Sequence, residues 1–105
     1  MNSLQTLTTI KTTVNGFLPG SQVFVYGSRA RGDAQAESDY DLLVVTGDNY
    51  GQREKMDWEN KIRKALVNAL DLPFDVIMQS KTELELKKNI HGHIVYFAMK
   101  EAIEI

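Results

Sequence analysis

Three aspartates in this sequence stand where carboxylates are costly to keep. Asp39 and Asp41 lead into the apolar run Leu42–Val45, and Asp75 interrupts the apolar run Phe74–Met78. Alternate side chains of a strand share a face, so Asp39 and Asp41 are expected on one side with one residue between them. An ionised carboxylate in an apolar strand needs a partner charge or a metal. Neither run contains a basic residue. A shared divalent cation resolves the conflict. Mg²⁺ takes hard oxygen ligands, usually one or two carboxylates with water and substrate phosphate. Three carboxylates on adjacent strands can hold two such ions, which sit about 3.5–4 Å apart in two-metal phosphoryl-transfer sites.

The other half of such a site lies upstream. The run Val23–Tyr26 ends in Gly27-Ser28. A strand-to-helix turn there exposes backbone N–H groups, which with the Ser28 hydroxyl can cradle phosphate oxygens. Arg29 and Arg31 follow. They suit phosphate contact or structural pairing with Asp33, Glu37 or a site carboxylate.

The elements that must position these groups follow from periodicity. Leu4, Leu7, Ile10, Val14 and Phe17 have helical spacing, and Leu18-Pro19-Gly20 ends that helix. Residues 21–26 predict a first strand, apolar on both faces. Residues 28–31 suit a short helical turn, and 39–45 a second strand with Leu43 and Val45 on the aspartate face. A helix is expected from about Gln52 to Leu70. Trp58, Ile62, Ala65, Leu66 and Ala69 lie on its inner stripe, with Arg53, Lys55, Glu59, Lys61 and Lys64 outside. Residues 74–78 predict a third strand. Thr82 with Glu85 has the spacing of a capping box for a short helix over 83–88. A last helix follows, with Gly92 near its start.

Composition narrows the function classes. The 105 residues carry a formal net charge of −2 and a pI near 5.6. A broad, non-specific nucleic-acid surface would need a basic face. Cysteine is absent, so no disulfide framework or thiolate zinc site can form. The first residues lack a basic segment followed by an apolar run, so no signal peptide is expected. No apolar stretch is long enough to span a bilayer. A cytoplasmic location is the expectation.

The spacing also resembles a known family. Gly27-Ser28, ten intervening residues and Asp39-x-Asp41 resemble the G-S-x(10)-D-x-D signature of the polymerase-β-like nucleotidyltransferase superfamily. The fuller string G-S-R-A-R-G-D…S-D-Y-D-L-L-V-V resembles its minimal nucleotidyltransferase (MNT) branch. Asp75 stands where the family carries its third acid, and the tail I-H-G-H-I-V-Y resembles the end of minimal domains less specifically. The resemblance runs from about Thr8 to Phe97. It implies an α/β (α+β) nucleotidyltransferase fold over residues 1–105 as one domain, with a small mixed three-stranded sheet flanked by helices. It implies an enzyme that moves a nucleoside monophosphate, AMP from ATP, to an acceptor hydroxyl with Mg²⁺, two ions being expected. Gly27 and Ser28 would hold the triphosphate, with Arg29 and Arg31 beside them by inference. Asp39, Asp41 and Asp75 would hold metal, Asp75 alternatively activating the acceptor. Minimal domains often pair as antitoxins with a small helical HEPN-domain toxin, and that partner is implied here.

Bland alternatives accompany each residue. An isolated D-x-D can cap a turn, and Ser38 reads as a turn residue. His91 and His93 read as surface or helix-start residues without zinc chemistry. Trp58, Phe74 and Phe97 read as core, as does Tyr26. Two other functions stay open: a partner-binding antitoxin module with little or no turnover, and a homodimeric small-molecule nucleotidyltransferase.

Overall fold

The computed structural model describes residues 3–105, so the first two residues of the expected 1–105 domain lie outside the described residues. The chain runs α1 (Ser3–Phe17), β1 (Gln22–Tyr26), the single helical turn α2 (Ser28–Arg31), β2 (Tyr40–Thr46), α3 (Gln52–Leu70), β3 (Phe74–Ser80), α4 (Lys81–Lys87), α5 (Ile94–Glu101) and β4 (Ile103–Glu104). The sheet order is β3-β2-β1-β4. β1 pairs antiparallel with β2 and with β4, and β2 pairs parallel with β3 across the α3 crossover. The expected α+β architecture is present.

The sheet has four strands where three were expected. The extra strand, β4, is two residues long and follows α5 after Ala102; it sets Phe24 opposite Glu104 and Val25 opposite Ile103. Two residues are too few to display an alternation, so the segment reads as the end of the last helix.

Period-two alternation divides the core into two layers. Tyr40, Leu42 and Val44 of β2 join Val23, Val25, Phe74, Val76 and Met78 against Ile10 and Val14 of α1 and Ile62 and Leu66 of α3. Leu43 and Val45 face the other way, toward Tyr26 and Ala98, with Phe24, Ile77 and Leu84 packed around them. Each fully buried Leu, Ile or Val contributes about 1.5–3 kcal/mol. Asp41 and Asp75 lie on the same face as Leu43 and Ile77, because the parallel register sets Asp41 opposite Asp75 and Leu43 opposite Ile77.

The helices depart from simple wheels at several positions. In α1 the buried residues are Thr6, Ile10 and Val14, and Leu4 is 75% exposed instead of lying on the apolar stripe. In α3, Ile62 and Leu66 are buried as expected, but Ala69 is exposed. Lys55, expected outside, is only 6% exposed. Its Nζ donates to Glu83 Oε2 at 2.6 Å. Glu59, also expected outside, is half-buried and accepts the Met78 N–H at 2.9 Å. A helical wheel cannot show these partners, because they belong to β3 and α4. The cap of α4 is Ser80, not Thr82. Ser80 Oγ accepts from the Glu83 N–H at 3.0 Å, and Glu83 Oε1 accepts from the Ser80 N–H at 2.9 Å. The Ser/Thr-x-x-Glu spacing occurs twice, two residues apart. The box that forms is the one whose glutamate also meets Lys55. Among the described residues, no helix is long and apolar enough to cross a membrane.

The Glu83 linkage has a readable pH signature. Burial pushes the carboxyl up, but bonds from Lys55 and the Ser80 N–H outweigh it and hold the group below its ordinary value. A carboxyl depressed in the fold contributes stability that is present above its unfolded value and lost as pH falls through its folded one. Glu83→Gln is expected to lower stability by about 1–3 kcal/mol near neutral pH. The gap should narrow below about pH 4.5. Urea denaturation of both proteins across that range checks this; a gap that does not change with pH refutes it.

Candidate functional site

Tyr26 is the last residue of β1, and the backbone then turns through Gly27 at φ 72°, in the left-handed region. Glycine reaches this region freely. A second constraint is steric: a Cβ on Gly27 would overlap the Asp41 carboxylate. The turn is closed by its own carbonyl, which accepts the Ala30 and Arg31 N–H groups at 3.0 Å each. Gly32, at φ 85°, ends the single turn and donates to Ser28 O. Ser28 therefore stands at the mouth of the site, half-buried, directly after the glycine.

The register brings Asp41 opposite both Tyr26 on β1 and Asp75 on β3. Asp39 was expected inside the strand, but β2 begins at Tyr40, whose N–H donates to Pro73 O at 3.0 Å. Asp39 thus stands exposed at the strand entrance. Asp75 is exposed and Asp41 half-buried. Burial, then the charges of Asp75, Asp39 and Glu101, raise the Asp41 carboxyl above its usual range, with Arg31 opposing. Burial, then Asp41 and Asp75, push the Tyr26 phenol far up, so it stays a neutral hydroxyl beside them.

The two arginines separate. Arg29 serves its own loop: Nη2 donates to Ser38 O at 2.9 Å and Ala36 O at 3.2 Å, and the guanidinium lies 4.4 Å from the Tyr40 ring centroid. Tyr40 stacks in turn on Phe74 at 5.4 Å. Arg29 thereby holds the segment that delivers Asp39. Ser38 Oγ accepts the Gln35 N–H at 2.8 Å, as a turn residue does. Arg31 instead faces the site rim. It pairs with Asp33 at 3.2 Å and bonds both oxygens of Glu101 at 3.1 Å. Glu101 Oε1 also accepts the Gly27 N–H at 2.9 Å. Sequence reasoning missed Glu101. It lies 74 positions from Gly27, and no local pattern announces it. His93 caps α5, its Nδ1 accepting the Val95 N–H at 3.1 Å.

The fit to Mg²⁺ can be tested on these groups. Among the described residues, no three His, Cys, Asp or Glu side chains are grouped closely enough to hold an ion alone. The three aspartates expected around shared ions do not close into a cage. The juxtaposed pair is Asp41 with Asp75, and Asp39 adds its charge from the entrance. A pair of hard oxygen donors suits Mg²⁺, which completes its shell with water and substrate phosphate.

A family model described as "Polymerase beta, Nucleotidyltransferase" matches residues 9–101. Among solved structures, that of a candidate minimal nucleotidyltransferase gives a TM-score of 0.67 at 20% identity, covering 100% of this chain and 97% of that one. A chain of a toxin–antitoxin complex with AMP-PNP gives 0.63 at 18% identity, covering 92% and 69%. A chain of a Shewanella oneidensis complex, between a tri-AMPylated HEPN toxin and an MNT antitoxin, gives 0.64 at 14% identity, covering 96% and 69%. At these identities the likeness is one of fold. No curated protein matches the sequence.

The Gly27 turn makes a direct prediction. Gly27→Ala should destabilise the fold by about 1–3 kcal/mol from its backbone alone, and should displace the Asp41 carboxylate. Chemical denaturation gives the first effect, and the NMR shift of the Asp41 carboxyl gives the second. Wild-type values for both would contradict the geometry.

Proposed function

The chain belongs to the polymerase beta nucleotidyltransferase family, and from that premise we propose that it transfers AMP from ATP to a hydroxyl on a partner protein, as an MNT-type antitoxin of a HEPN toxin. The observation that carries this is the meeting of Asp41 and Asp75, in register on parallel strands, against the Gly27-Ser28 turn. Residues 1–105 act as one nucleotidyltransferase domain. A cytoplasmic location fits its need for ATP.

In this scheme the Gly27 N–H, the Ser28 hydroxyl and the Arg31 guanidinium hold triphosphate oxygens. Arg29 positions the loop before Asp39 and does not itself reach phosphate. Asp41 and Asp75, with Asp39, would hold Mg²⁺, which when bound neutralises the triphosphate and lowers the pKa of the attacking hydroxyl. Asp75, the exposed member of the pair, accepts the proton of the incoming hydroxyl. The acceptor oxygen forms a bond to the α-phosphorus, the bond to the bridging oxygen breaks, and pyrophosphate leaves with the electron pair. The neutral Tyr26 phenol lines this corner without adding to the negative charge of the aspartates.

Two observations support a protein acceptor. Leu86, Ile90, Ile94 and Phe97 are exposed along α4, α5 and their connection, and exposed apolar surface of this kind marks interaction sites. The fold neighbours include a complex with AMP-PNP and one with a tri-AMPylated HEPN toxin.

Incubating the protein with ATP, Mg²⁺ and a co-expressed HEPN partner should add the mass of AMP to a partner hydroxyl. Asp41→Asn and Asp75→Asn should each cut that transfer by about a hundredfold or more. Asp41→Asn should leave the melting temperature unchanged or higher, because it removes a repelled, partly buried charge. Undiminished transfer by either variant rejects the site. Tight partner binding without an adduct favours the non-catalytic module. Adducts found only on small molecules favour the homodimeric alternative.

A further inference from the structure

Glu101 occupies a position that the proposed mechanism needs for something else. Its carboxylate accepts the Gly27 N–H at 2.9 Å, and both its oxygens accept from Arg31 Nη1 at 3.1 Å. A backbone N–H and a guanidinium converging on two oxygens of one anion make the contacts that a phosphate group would make. The carboxylate is held there by elements on either side. Val95 and Ala98 anchor α5 in the core. β4 ties the chain beyond Ala102 to β1, the Ile105 N–H donates to Val23 O at 2.9 Å, and Lys11 Nζ donates to Ile105 O at 2.7 Å.

We propose that Glu101 is a built-in competitor for the nucleotide, holding the Gly27 N–H and the Arg31 guanidinium that a triphosphate oxygen takes on binding. This rests on the phosphate-binding role proposed above for Gly27 and Arg31. The single Gly27 N–H is already given to Glu101, and Arg31 Nη1 is turned to the same carboxylate, so a triphosphate oxygen that takes the Gly27 N–H displaces the Glu101 carboxylate. The displacement reaches the edge of the sheet, because Ala102 alone separates Glu101 from β4. Loaded and unloaded forms therefore differ at the α5–β4 end. Ligand free energy spent on breaking the Glu101 contacts lowers apparent affinity, and a partner that draws α5 away from the turn raises it.

The experiment is calorimetric titration of ATP with Mg²⁺ into wild type and Glu101→Gln, with amide hydrogen exchange on the wild type. The glutamine keeps an oxygen for the Gly27 N–H and loses the charge. The variant should bind ATP about tenfold more tightly, the factor carried by one charge-assisted contact. ATP should also speed exchange at the Ile103 and Ile105 amides of the wild type, where the chain end pairs with β1, while the Gly27 amide, passed from Glu101 to a phosphate oxygen, stays protected. A purely structural staple predicts the reverse: weaker ATP binding by the variant and no added exchange in the wild type. Wild-type binding with equal or weaker binding by Glu101→Gln overturns the inference and leaves the nucleotide site standing. Binding by neither protein overturns both. If Glu101→Gln does not fold, exchange on the wild type decides alone, and unaltered protection with ATP bound refutes the competitor.

Discussion

Parallel pairing of β2 with β3 forces two like charges together, and much of this structure follows from it. The register that buries Leu42, Val44, Val76 and Met78 leaves no freedom in where Asp41 and Asp75 fall. A slip by one residue would exchange the side chains of the two core layers and undo the packing of both. The hydrophobic layers thus hold the two aspartates side by side on adjacent strands against their repulsion. Asp41 is raised above the usual range by burial and by the neighbouring acids, so the fold stores an unfavourable charge arrangement at one end of its sheet. Stabilising interactions elsewhere in the core offset it.

Gly27 fixes the third side of that corner. A positive φ and the absence of a Cβ let the turn close over Asp41, and the Gly27 carbonyl then ties down Ala30 and Arg31. The turn and the acids are one steric unit. This gives a physical reason for glycine at the first position of the sequence motif, independent of any contact with a ligand.

Much of the architecture was legible in the residues. Val23–Tyr26 and Leu42–Val45 read as strands because each is a short apolar run bounded by turn signals. The stripe of Ile62 and Leu66 read as a helix. The family resemblance rested on the Gly-Ser and Asp-x-Asp spacing, and the matched family model agrees with it. What stayed hidden involved charges whose partners are distant in sequence. Lys55 and Glu59 looked solvent-facing because their neighbours on α3 are charged; Glu83 and the Met78 amide bury them. Ser80 outcompeted Thr82 as a cap for the same reason. Arg29 and Arg31 looked equivalent, yet one supports its own loop and the other reaches Glu101 on the final helix. Such pairings are set by topology, and one-dimensional periodicity does not contain them.

The bond from the Met78 amide to Glu59 has a consequence beyond local satisfaction. β3 lies on the outside of the sheet, with β2 as its sole strand neighbour. An unguarded border of this kind recruits strands from other molecules, the first step toward ordered aggregates. Glu59 reaches over from α3 and engages one of the amides an incoming strand would need. It also sets a negative charge along that rim. The same helix that crosses between the parallel strands therefore acts as a sentry against sheet extension. Neutralising or shortening this one side chain would be felt first as self-association, before any loss of the native fold.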